Sequence, residues 1–316
     1  MKTVVAEPLF IDQELLEELA APLRAEGHEC VVFDEKPTSL ADWTERVADC
    51  DQLILANAPL PKEALDAAPN LKYINVAFTG TDHVPVDVAK ARDIAVSNAA
   101  GYSDDAVAEL VLGMTLSLLR ELREADAATR KGGRAVDFMG LEIHGRTVGI
   151  IGTGRIGMRV AALFKAFGAK LVGYNRSEHE EAKALGLAYL PLNELLKVSD
   201  IVTVHLPATP QTKGLLAAPQ FALMKKSAIL INAARGPIVN AQDLAAALAS
   251  ETIAGAGVDV FDQEPPLEKS PLFGAPHVLL TPHIGYFTEE AMEKRARLVF
   301  ANAARFVRGE ALESLV

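Results

Sequence analysis

An α/β protein of two domains with parallel sheets is the fold class this sequence predicts, and three observations predict it. The first is Val148 to Gly157, VGIIGTGRIG, where a mostly β-branched apolar run meets Gly152-x-Gly154-x-x-Gly157. Such a run makes a buried strand, and the glycines fall where it turns into a helix. The second is the continuation, RVAALFKAFGAK, an amphipathic helix with Gly168 as its stop, followed by KLVGYN as the next strand. The third is the recurrence, on both sides, of short apolar runs between helical stretches, which marks parallel strands with crossover helices. In such a βαβ unit the first glycine permits the tight turn, the second lets backbone approach a pyrophosphate, and the third packs helix on strand. The stretch therefore reads as the dinucleotide fingerprint of a Rossmann-like domain.

The elements follow in order. Residues 3–6 and 30–33 predict strands around the acidic amphipathic helix DQELLEELAAPLRAEG, which closes at Gly27. QLILANAP and LKYINVA are two further strands, punctuated by Pro59, Pro61 and Pro69. The last runs into FTGTDHVPVD, where Gly80 lies in a loop suited either to an ordinary turn or to receiving an anion on backbone N–H groups. A long apolar helix is expected from Asp104 to Arg123, apolar on more than one side and so buried between domains or against a second subunit. Residues 129–146 are rich in glycine and charge and predict an irregular excursion. After GYNRS the alternation resumes, and the amphipathic TEEAMEKRARLVFANAARFVRGE has the length to return and pack on the first domain. The expected division is 1–98 with 286–316, and 99–285.

Composition sets the class. With 316 residues, 50% hydrophobic and 23% charged, the chain can bury large cores, and no apolar run approaches a membrane span. MKTVVAEPLF lacks a signal-peptide pattern, so the expected compartment is the cytoplasm. Cys30 and Cys50 form no CxxC and no cluster has metal-ligand spacing, so neither a disulfide framework nor a metal is expected. A net charge of −11 argues against a nucleic-acid partner. It also requires locally positive groups for any anionic ligand.

Three later strand ends finish in polar groups: Arg235 in INAARGPIVN, Glu264 in GVDVFDQEPP and His283 in LLTPHIGY. Ligands of open α/β sheets bind beyond the carboxyl ends of strands, so these three are candidates for one site beside the dinucleotide. Each alone is equally a turn arginine, a solvated acid or a packed histidine.

Together with TGTDHVP, NAAGYSDDAVAEL, GRTVGIIGTGRIG and SDIVTVHLPATPQTKGLL, in that family's order, these motifs resemble the D-isomer-specific 2-hydroxyacid dehydrogenases over nearly the whole chain. The resemblance implies a central dinucleotide-binding domain and a discontinuous, flavodoxin-like substrate domain. It implies that Arg235, Glu264 and His283 are catalytic, with Thr79 and Gly80 holding the substrate carboxylate. Asn57 and Tyr102 are further substrate-side candidates, Tyr102 being equally a core residue, as are Phe78 and Tyr286. It places the cofactor along Gly152, Thr153, Gly154, Arg155, Ile156 and Gly157, then Asn175, Arg176 and Ser177, with His205, Pro207, Ala233 and Asp259 completing the contacts. Asp259 is the residue expected at the nicotinamide amide, and His205 serves either cofactor contact or packing.

The implied chemistry uses these residue types. Reduction of a 2-keto acid builds negative charge on oxygen, and a histidine supplies the proton. A carboxylate beside that histidine favours its charged form. An arginine fork suits a carboxylate and a carbonyl.

Departures from the family pattern carry information. NAD-preferring members place an acid at the end of the strand KLVGY, to bond the ribose hydroxyls. Here Asn175, Arg176 and Ser177 stand instead, so NADP(H) is favoured and NAD(H) is the alternative. Phe138 and Met139 occupy a stretch where the family often has tryptophans, which weakens transferred substrate rules. No regulatory domain is expected beyond Val316. Partners are expected to be a small 2-keto or 2-hydroxy acid and a second copy of the chain. A non-catalytic dinucleotide-sensing regulator of the same fold and a phosphite-type dehydrogenase are the alternative functions. Formate dehydrogenase-like members carry Gln at the position of Glu264 and rank lower.

Overall fold

The computed structural model describes every residue of the chain except Leu267. It divides into two compact units, Met1–Ser103 with Phe287–Val316, and Asp104–Tyr286. The breaks thus follow Ser103 and Tyr286, five residues and one residue beyond those expected from sequence.

In the first unit the chain runs β1 (Lys2–Val5), α1 (Gln13–Ala25), β2 (Glu29–Val32), α2 (Leu40–Val47), β3 (Gln52–Leu55), α3 (Lys62–Asp66), β4 (Tyr73–Val76), α4 (Val86–Ala91) and β5 (Ala95–Asn98). The five strands are parallel in the order β2-β1-β3-β4-β5, the flavodoxin order, whose reversal lies between β1 and β3. Helix α1 starts where the Asp12 side chain accepts from Leu15 N and buries Leu16, Ala20 and Leu23, one stripe at helical spacing.

The second unit begins with α5 (Asp104–Leu119) and α6 (Leu122–Thr129). The helix expected to reach Arg123 therefore stops four residues early. The cause is local: Leu119 O, which a continuing helix would use for the N–H of Arg123, accepts Leu141 N at 2.8 Å, and Glu121 takes a left-handed conformation. A short 3₁₀ turn, Ala135–Asp137, interrupts the excursion that follows. Then come β6 (Thr147–Ile151), α7 (Arg155–Ala166), β7 (Lys170–Tyr174), α8 (Glu180–Ala184), β8 (Ala188–Tyr189), α9 (Leu192–Val198) and β9 (Ile201–Val204). They are followed by α10 (Ala218–Phe221), β10 (Ile229–Asn232), α11 (Ala241–Ala249), β11 (Gly255–Val258) and β12 (Val278–Leu280).

The seven strands are parallel in the order β12-β11-β10-β9-β6-β7-β8, with the reversal between β6 and β9. Alternate strand residues feed two cores. Val148, Ile150, Ile201 and Ile231 pack with α5 and α7, while Ile151, Val202, Val204 and Leu230 pack on the other face. Burial on both faces explains why these strands read as unbroken apolar runs.

The last helix, α12 (Glu289–Arg308), belongs to the first unit. Thr288 caps its start, Gly309 in a left-handed conformation ends it, and it lies against α1 and β4. Buried Asn75 donates to Val299 O at 2.7 Å and so ties the helix to the sheet. Among the described residues, no helix is long and apolar enough to cross a membrane.

Candidate active site

The glycine fingerprint occupies the reversal of the second unit's sheet, after β6. Gly152 adopts φ +97°, and a Cβ there would lie 2.5 Å from His205 O, so only glycine fits the turn. A Cβ on Gly157 would meet Gly152 O at 2.0 Å, which lets α7 sit tight on the turn. Gly154, which caps α7, has nothing within 4 Å of its would-be Cβ. This open cradle before the first turn of a twelve-residue helix fits a pyrophosphate, with backbone N–H groups and the helix dipole facing it. Arg155 is exposed and ion-paired with Asp104 at 2.9 Å, while Ile156 packs against the core shared by α5 and α7.

The position directly after β7, where an acid would bond the ribose, is Asn175. Asn175 donates to Ser177 O at 2.9 Å and lies 3.1 Å from His179 Nε2. Arg176 and Ser177 are exposed, and the Arg176 guanidinium makes no hydrogen bond or ion pair among the described residues. The neighbouring Glu178 and Glu180 are held by Lys183 at 2.8 and 2.9 Å. The end of β9 presents His205, whose ring lies 2.8 Å from Thr203 Oγ1. Burial pushes its pKa down to about 3, so it is a neutral imidazole. Pro207 is exposed and its carbonyl accepts from Thr212 Oγ1 at 2.7 Å; Ala233, just beyond β10, is partly buried.

Arg235, Glu264 and His283 follow β10, β11 and β12, three adjacent parallel strands, and so share the edge that carries the fingerprint. His283 Nδ1 and Glu264 Oε2 are 2.5 Å apart. The other carboxyl oxygen of Glu264 accepts Phe261 N at 3.0 Å. Burial draws this carboxyl upward, but the hydrogen bonds from His283 and Phe261 and the charges of His283 and Arg235 outweigh it, and its pKa falls below the usual value. Arg235 is partly buried, with Nη1 on Ala234 O at 2.8 Å and its own carbonyl bonded by Asn232.

His283 adopts φ +55°, a conformation few residues other than glycine take. Asp259 holds it there. His283 N donates to Asp259 O at 2.7 Å, while the Asp259 carboxyl accepts Thr281 Oγ1, Ile284 N and Gly285 N at 2.5, 2.9 and 2.9 Å. Burial raises the pKa of this carboxyl, and the three hydrogen bonds only partly offset it. Tyr286 meets the His283 ring edge to face at 5.4 Å.

Three positions went unnoticed in the sequence. Phe261 orients Glu264 through its N–H. A Cβ on Gly236 would lie 2.1 Å from the Phe261 carbonyl carbon, so this glycine sets the spacing between the Arg235 and Glu264 loops. Tyr189 lies 2.7 Å from Thr153 Oγ1. Gly236 was legible in the ARGP string; nothing in sequence marks Tyr189.

The first unit holds the remaining candidates at its own sheet edge. The buried Glu7, just beyond β1, accepts Ala56 N and Ala58 N at 2.8 and 2.9 Å and so grips the loop carrying Asn57. Lys36 donates to Asn57 Oδ1 at 2.7 Å, which fixes that amide's orientation because lysine can only donate. Thr79 Oγ1 is buried with no partner among the described residues, and Asn98 donates to Thr79 O at 2.9 Å; Gly80 follows, partly buried. Tyr102 is buried, 3% exposed, with its ring 6.1 Å from Phe78.

A glycine fingerprint at a sheet reversal, with an arginine and a bonded histidine–carboxylate pair along the same edge, defines a dinucleotide-dependent oxidoreductase. Residues 112–285 match the family described as D-isomer specific 2-hydroxyacid dehydrogenase, NAD binding domain. The chain belongs to that family. It is 37% identical over 290 residues to a glyoxylate reductase of Korarchaeum cryptofilum, covering 90% of this chain and 87% of that one. An acyclic imino acid reductase (Bsp5) in complex with NADPH and D-Arg superposes with a TM-score of 0.90 at 28% identity, covering 100% of both chains. D-lactate dehydrogenase of Aquifex aeolicus, complexed with NAD and lactic acid, gives 0.84 at 27% identity, covering 98% of this chain and 96% of that one. The protein is thus an oxidoreductase of the 2-hydroxyacid dehydrogenase type that uses a nicotinamide dinucleotide.

Proposed function

We propose that the protein reduces a small 2-keto acid to the D-2-hydroxy acid, with NADP(H) as preferred cofactor and NAD(H) as the alternative. The observation that carries the reaction is the His283 Nδ1 to Glu264 Oε2 contact of 2.5 Å at the edge that bears the fingerprint. The dinucleotide, when bound, supplies or accepts the hydride. Glu264 accepts the hydrogen bond from His283 Nδ1–H and fixes the imidazole, so Nε2 is the nitrogen that gives a proton to the substrate oxygen and recovers it in reverse. Arg235 binds the substrate carboxylate and carbonyl with its planar fork, which answers how an acidic chain holds an anion. Asp259 holds the loop of His283 and acts at the nicotinamide amide.

The first unit acts as the substrate domain, with Thr79 and Gly80 at the substrate carboxylate and Asn57 nearby. Tyr102 acts through packing behind them. The preference for NADP(H) is supported by Asn175 in place of an acid and by the unengaged guanidinium of exposed Arg176. With Asn175 at that position, the repulsion an acid there would exert on a 2′-phosphate is absent.

The test is kcat/KM for NADPH and NADH across glyoxylate, hydroxypyruvate, pyruvate and bulkier 2-keto acids. Turnover with at least one acid and a higher value for NADPH are expected. A clear NADH preference contradicts the cofactor proposal, and no turnover with any acid favours a dinucleotide-sensing regulator.

A further inference from the structure

Tyr189 ends β8, the short edge strand beside β7, and its hydroxyl stands between two loops that the fingerprint places on the dinucleotide. It lies 2.7 Å from the Oγ1 of Thr153, the buried residue between Gly152 and Gly154. It also accepts the backbone N–H of His179 at 3.1 Å. The His179 ring in turn lies 3.1 Å from the Asn175 amide, so the loop with Arg176 and Ser177 is tied to the same hydroxyl.

A phenol has one hydrogen to donate. With His179 N–H received on the phenol oxygen, Thr153 Oγ1 is the acceptor within reach of that hydrogen. Thr153 is 1% exposed, so this bond lies inside the turn and acts on the backbone between Gly152 and Gly154. The neighbouring Gly154 opens onto the unfilled space at the start of α7, where an anion is favoured.

We propose that Tyr189 is a positioning residue for the dinucleotide: its hydroxyl joins Thr153 of the fingerprint turn to His179 and so holds that turn and the loop of Asn175, Arg176 and Ser177 in register for the cofactor. A side chain that only filled space at the end of β8 would not need its oxygen. Here the oxygen links the fingerprint to the second loop, and chained hydroxyls polarise one another.

Dissociation constants of NADPH and NADH, read from the fluorescence of the bound cofactor without substrate, test this in four proteins: wild type, Tyr189→Phe, Thr153→Val and the double variant. Each single variant is expected to bind both cofactors about 5-fold more weakly, the scale of one lost neutral hydrogen bond. The double variant is expected to match Thr153→Val alone, because Tyr189 acts through Thr153. Thr153→Ser keeps the hydroxyl and is expected to stay near wild type, which holds the test open should Tyr189→Phe fold poorly. Tyr189→Phe binding within twofold of wild type overturns the proposal, as does a double variant whose loss is the product of the two single losses. A wild type that binds neither cofactor overturns the site itself and is told apart from these results by its own titration.

Discussion

His283 Nδ1 and Glu264 Oε2 meet at 2.5 Å although the two residues follow different strands, and Asp259 and Phe261 hold the two sides of the contact independently. The histidine is fixed through its main chain, the carboxylate through its second oxygen. Replacing Glu264 with Gln keeps the shape and removes the charge. We expect kcat for 2-keto acid reduction to fall about 10-fold or more, with little change in Tm. Steady-state kinetics and a thermal melt on one preparation check it; an unchanged kcat contradicts the role given to the charge.

Gly236 makes the spacing between Arg235 and Glu264 sensitive to a single methyl group. In Gly236→Ala the new Cβ meets backbone at Phe261, which cannot yield as a flexible side chain would. A stability loss of about 1–3 kcal/mol is expected from such overpacking. A fall in kcat at temperatures where the variant is fully folded is expected with it, because Phe261 also holds Glu264. Denaturant titration with kinetics separates the two; full activity in a destabilised protein contradicts the positioning role.

His205 gives stability a pH dependence. Its pKa is about 3 in the folded chain against an ordinary 6.5, so between these values the unfolded chain binds the extra proton. Stability is therefore full above 6.5 and declines as pH falls toward 3. One and a half units at pH 5 correspond to about 2 kcal/mol, and the partial exposure of the residue reduces this to about 1 kcal/mol. His205→Gln is expected to flatten the change in unfolding free energy between pH 7 and 5 by that amount. An unchanged slope contradicts a neutral, desolvated His205.

Leu122, Val136, Met139 and Leu141 stand exposed along the segment between α5 and β6. We read this apolar stretch as the cover for a second copy of the chain, forming a homodimer. Light scattering at micromolar concentration is expected to give twice the chain mass, and Met139→Glu is expected to shift it toward the monomer. A monomeric wild type contradicts the proposal.

Sequence made much of this legible for a physical reason. Strands buried on both faces write themselves as apolar runs, and a turn that needs φ +97° at Gly152 writes itself as glycine. The return of α12 to the first unit was visible in its amphipathic length. The end of α5 was not, because Leu141, distant in sequence, takes the carbonyl of Leu119. Within the site, the strand-end positions of Arg235, Glu264 and His283 were legible from the alternation of elements. The grip of Glu7 on the Asn57 loop was not: it joins residues far apart in sequence through backbone amides, which leave no mark on residue type. Tyr189 escaped for a related reason, since its partners lie on a turn and on a main-chain N–H.

The most direct measurement compares wild type with His283→Ala for 2-keto-acid-dependent oxidation of NADPH and NADH, followed by absorbance, with folding checked by thermal melt. The account predicts turnover in the wild type and a fall of about 100-fold or more in the variant at unchanged Tm. Near-normal turnover in a folded His283→Ala protein would contradict it.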